Sequence, residues 1–170
     1  REPCRPMPQP IGRDLDETRS QLLAWLAPRL PEAGQLRIDE LRGPKDTGFS
    51  SDTLMFALDY EEEGAPRRQE MVIRLKPVGD FGVFPEYDVA LQHNMMKALA
   101  ETPVPVPAMY WLEEDPGPLG SPFYVMERLE GQVPSDSPPY PSEGWLYASA
   151  PQDRAGLWNS GLDGMSEVHK

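Results

Sequence analysis

One cysteine, Cys4, stands in 170 residues, so no intrachain disulfide and no cysteine cage for a metal can form. Only two histidines are present, His93 and His169, and neither has further ligands at metal-binding spacing. Positive charge is also scarce: 16 Lys and Arg stand against 28 Asp and Glu, a net charge of −12. Such a balance repels nucleic acid and anionic membrane surfaces. A mononucleotide is not excluded, because a few backbone N–H groups and one or two cations hold phosphates inside a cleft. No run reaches the roughly 18 apolar residues of a membrane span, and residues 1–11 are proline-rich rather than apolar like a signal peptide. A protein of the reducing cytoplasm is the expectation. Neither a Walker A sequence nor a nucleophile elbow occurs.

What is present alternates between the two structural periods. Asp14 and Glu17 have capping-box spacing, and Leu15, Leu22, Leu23 and Leu26 recur at helical intervals until Pro28 and Pro31 stop them. The pattern then turns to β at 36–41, 53–60 and 70–76, with connections over 43–51 and 61–68, which predicts three antiparallel strands. A second helix is predicted over 85–100, where Tyr87, Leu91, Met95 and Leu99 recur every fourth residue. Strands at 109–112 and 122–129 flank a turn built from Asp115, Pro116, Gly117 and Gly120. The sum is an α+β fold, a five-stranded antiparallel sheet with one inserted helix. Residues 132–144 read as loop, and 152–170 as a helix whose apolar face, Leu157, Trp158, Leu162, Met165 and Val168, has no later element to cover it. The expected organisation is a lead segment and helix over 1–35, a sheet lobe over 36–131, and a crossover and first helix of a second lobe over 132–170. The uncovered face predicts self-association.

In the third strand, period two places Val72, Arg74 and Lys76 on one face and Met71, Ile73 and Leu75 on the other. Four segments in order now carry a resemblance: Gly48-Phe49-Ser50-Ser51-Asp52-Thr53; Met71-Val72-Ile73-Arg74-Leu75-Lys76-Pro77; Thr102-Pro103-Val104-Pro105-Val106-Pro107; and the run from Leu119 through Met126, Glu127, Arg128 and Leu129 to Gly131. Together they resemble the aminoglycoside phosphotransferase and choline kinase-like family. More narrowly they resemble its branch of kinase domains found beside acyl-CoA dehydrogenases.

The resemblance implies a protein kinase-like small lobe that binds ATP, or possibly GTP. It implies that Gly48, Phe49, Ser50 and Ser51 form a loop whose backbone approaches the β- and γ-phosphates. It places Arg74 at the α- and β-phosphates and Val72 in the adenine pocket. It makes Met126 the guard of that pocket, with the Glu127 carbonyl and the Leu129 N–H reading the adenine edge. Where such kinases carry a glutamate to hold the cation, this chain has Gln92 by spacing, with Glu86 as the other candidate. The family's catalytic loop and its Mg²⁺ ligands are not found in these residues, so the chain alone is expected to be inactive, and the small hydroxylated substrate to bind mainly elsewhere. Two other readings stay open: a non-catalytic nucleotide-binding module, suggested by Gln92, and an interaction protein using the proline-rich stretches 3–10 and 134–141.

Overall fold

The computed structural model describes residues 13–43, 52–77, 87–135 and 138–170. The chain enters through helix α1 (Leu15–Leu26), whose cap Asp14 accepts from the N–H groups of Asp16 and Glu17. A 3₁₀ turn (Ala27–Arg29) leads to strand β1 (Gly34–Ile38). Two long strands follow, β2 (Asp52–Glu62) and β3 (Ala65–Leu75), then helix α2 (Val89–Leu99). Strands β4 (Met109–Glu113) and β5 (Phe123–Glu127) form a hairpin, and the chain continues into a short helix α3 (Trp145–Ala148) and α4 (Pro151–Val168).

Among the described residues the sheet has five antiparallel strands in the order β1-β2-β3-β5-β4. Its two faces differ in kind. Leu54, Phe56, Leu58, Met71, Ile73, Leu75, Phe123 and Val125 point to one side and pack with Leu22, Trp25 and Leu26 of α1 into a dry core. Period two sends their strand neighbours to the other side, where α2 lies against β4 and β5. Trp25 fastens α1 to the hairpin. Its ring packs edge-on against Phe123 and Trp111, and its indole N–H donates to Glu113 Oε2 at 2.8 Å. Arg29 stacks over the same ring, 3.8 Å from its centroid, and donates to the same carboxylate oxygen at 2.9 Å.

Three expectations need correction. The connection read over 61–68 is a two-residue turn: Glu63 and Gly64 both have positive φ, 51° and 76°, and the strands pair out to Glu62 and Ala65. The charged residues that looked like loop form cross-strand ion pairs instead, Arg68 with Asp59 and Arg67 with Glu62. Pro66 is tolerated because it lies beyond the last β5 pairing, Met71 with Glu127, where that side of β3 is open. The strand read over 36–41 runs Gly34–Ile38, with Arg42 rejoining β2 by one bridge to Met55. The last strand stops at Glu127 rather than 129, and a helical turn, Trp145–Ala148, follows the loop.

The apolar repeat of α2 does not mark its buried face. Leu91 and Met95, the every-fourth-residue stripe, are 58% and 57% exposed, whereas Val89 and His93 are buried. The sheet side of this helix meets polar groups, so its inward stripe is mixed and the apolar repeat points out. The expected start at residue 85 lies outside the described residues; Asp88 caps the observed helix by accepting from the Leu91 N–H.

Candidate functional site

Cross-strand pairing builds the α2 side of the sheet as a series of rows. Thr53 of β2, Arg74 of β3 and Tyr124 of β5 form one row. Met55, Val72 and Met126 form the next, and Ala57 and Glu70 continue into the backbone after β5, where the Arg128 N–H donates to Glu70 O. Rows two residues apart on a strand are about 6.6 Å apart. The surface therefore runs from a half-buried cation, through an apolar patch, to a charged end.

At the cation end Arg74 is half-buried, opposite the wholly buried Tyr124. The Tyr124 hydroxyl donates to Gln92 Oε1 of α2 at 3.3 Å. Burial raises the pKa of this phenol, and the charge and hydrogen bond of Arg74 pull against that rise. In the middle, Val72 is 9% exposed and Met126 half-buried, an apolar surface suited to a flat aromatic group. At the charged end the Arg68 guanidinium meets Asp39, Asp59 and Glu70 at 2.8, 2.9 and 3.4 Å, and Arg128 meets Glu70 at 2.8 Å. Burial pushes the Asp39 carboxyl up, but the Ala57 N–H, Arg68 and Arg42 more than offset it and leave it below its ordinary value.

The segment after β5 is held at its start. The Glu127 N–H donates to Ala108 O at 2.8 Å, and its carboxylate accepts the Ala108 N–H at 3.1 Å. Both contacts lie on the β4 side, and Leu129 beyond them is exposed.

The structure thus brings Val72, Arg74, Gln92 and Met126 to one face, with Glu127 and Leu129 at its margin. Gly48, Phe49, Ser50 and Ser51, and likewise Glu86, lie outside the described residues. His93 is buried beside Tyr124, ring centroids 6.2 Å apart, with its Nδ1 3.0 Å from Asn94 Oδ1. His169 is the C-cap of α4. Among the described residues no three His, Cys, Asp or Glu side chains gather as a metal cage. The residue missed by sequence reasoning is Tyr124. Counting two back from Met126 would have placed it on the site face, but an uncharged aromatic in a strand gives no other sign of function.

The sequence profile described as "Phosphotransferase enzyme family" matches residues 51–152. The chain is 31% identical over 99 residues to the Arabidopsis thaliana protein named probable acyl-CoA dehydrogenase IBR3, covering 58% of this chain and 11% of that protein. It is 38% identical over 69 residues to acyl-CoA dehydrogenase family member 10 of Mus musculus, covering 40% of this chain and 6% of that one. A crystal structure from Ralstonia eutropha assigned to the aminoglycoside phosphotransferases is 29% identical, with a TM-score of 0.39, covering 67% of this chain and 28% of that one. The chain thus spans a small part of the length of each.

Proposed function

The chain belongs to the phosphotransferase enzyme family, in the branch whose relatives carry acyl-CoA dehydrogenase names, and from that premise we propose that it is the nucleotide-binding lobe of an ATP-dependent small-molecule kinase. The observation that carries this reading is one sheet face on which the half-buried Arg74 lies one row from the apolar Val72 and Met126, next to the segment 127–129. A guanidinium at one end and an apolar slot at the other match the two ends of a nucleotide.

Arg74 holds the α- and β-phosphates, and Val72 and Met126 cover the adenine. The Glu127 carbonyl and Leu129 N–H read its edge. In the transfer itself an acceptor hydroxyl oxygen bonds to the γ-phosphorus while the bond to the β–γ bridging oxygen breaks, and the hydroxyl proton passes to a carboxylate. We assign that carboxylate, and the ligands of the Mg²⁺ that accompanies ATP, to residues outside this chain, so these 170 residues bind nucleotide without turning it over. We take the acceptor to be a small hydroxylated metabolite or antibiotic, and the acyl-CoA dehydrogenase names of the relatives support a hydroxylated acyl compound at least as much as an antibiotic. Within the described residues no helix is long and apolar enough to cross a membrane, and we place the protein in the cytoplasm.

Titration with ATP and Mg²⁺ by calorimetry, wild type against Arg74→Ala, tests this reading. Loss of a charge-assisted contact to phosphate predicts about tenfold to hundredfold weaker binding. Equal binding by the two proteins would remove Arg74 from the site, and no binding by wild type at millimolar ATP would count against the nucleotide-lobe reading.

A further inference from the structure

Tyr124 is wholly buried, and two elements hold it. On β5 it sits directly opposite Arg74 of β3, and across the interface with α2 its hydroxyl donates to Gln92 Oε1. A phenol hydroxyl has one proton to give and lone pairs to receive one. The proton goes to Gln92, which leaves the lone pairs for the neighbouring guanidinium. The buried His93 ring lies on the helix side of the phenol and limits its freedom to turn away.

We propose that Tyr124 is a positioning residue for Arg74, coupling the guanidinium to α2 through a hydrogen-bond relay from Arg74 to the Tyr124 oxygen and from the Tyr124 hydroxyl to Gln92. The proposal rests on the nucleotide-binding reading of Arg74. Gln92, the helix residue matched by spacing to a kinase glutamate, carries no charge, and the phenol supplies the reach that the amide lacks. The relay orients the guanidinium through two groups that are themselves neutral. The raised pKa of the buried phenol agrees with this, since the hydroxyl keeps its proton through the physiological range.

The test is a set of titrations of wild type, Tyr124→Phe, Gln92→Leu and the double variant with ATP and with adenosine, on proteins whose folding is checked by thermal unfolding. Loss of one hydrogen bond predicts about fivefold weaker ATP binding for each single variant, with adenosine unaffected because it has no phosphate. The double variant should bind ATP about as well as the weaker single one, because both break one relay. Gln92 is half-buried on the helix surface, so its variant decides the matter if Tyr124→Phe fails to fold. Unchanged ATP binding, equal losses for ATP and adenosine, or strictly additive losses would overturn the role of Tyr124 and leave nucleotide binding intact. A wild type that binds no ATP would sink both proposals together.

Discussion

Glu113 ties α1 to the β4–β5 hairpin. It accepts from the Trp25 indole and from Arg29, and its second oxygen accepts the Asp115 N–H. The Trp25 hydrogen bond, aided by Asp115 and Arg29, outweighs burial and lowers its pKa below the ordinary 4.5. A carboxylate with a lowered folded-state pKa gives stability that is complete above its unfolded pKa and is lost as pH falls through the folded value. Glu113→Ala should therefore cost about 1–3 kcal/mol at neutral pH, chiefly by leaving the half-buried indole N–H without its acceptor. Urea unfolding should show the gap to wild type narrowing as pH falls below the ordinary 4.5 and wild type loses the same contacts. The role of Glu113 was not legible beforehand, because it meets residues 25 and 29 only through tertiary packing. Arg74 and Val72, in contrast, were readable from period two alone, since β alternation fixes which side chains share a face.

At the scale of elements, type and order were legible and orientation was less so. The five strands and the helices α1, α2 and α4 follow from apolar periods, and α1 also from its cap Asp14. The apolar stripe of α2 points outward, because apolar repeats mark the buried face only when the facing surface is apolar, and here it offers Tyr124. The β2–β3 hairpin was misread because its tip is a ladder of charges that burial patterns cannot register. Its turn is poorly matched at one position, because Glu63 occupies the left-handed region that asparagine or glycine tolerates better. Glu63→Asn is expected to raise stability by about 0.5 kcal/mol. Gly64→Ala should lower it by about 1 kcal/mol through its positive φ alone, since a methyl there would meet no atom within 4 Å. Thermal unfolding of the two variants beside wild type checks both signs.

For the whole molecule, the apolar surface is unevenly distributed. The α1 side of the sheet is sealed, whereas α4 buries none of its residues and leaves Trp158, Leu162 and Met165 at 67%, 48% and 61% exposure. They border an open groove of about 470 Å³, completed by Tyr140 and Tyr147. Association between copies through this face is expected to grow with concentration, and Trp158→Glu with Leu162→Glu should shift sedimentation velocity profiles toward monomer. The sheet itself offers a different prospect. Its outer strands β1 and β4 are five residues each, and both break register, between Gly34 and Arg37 and between Met109 and Trp111. At the first break Gln35 turns to φ 50°. Neither border is therefore a straight template onto which another chain's strand could zip, and fibril growth is blocked at its first step. Concentrated samples should form reversible oligomers that do not enhance thioflavin fluorescence.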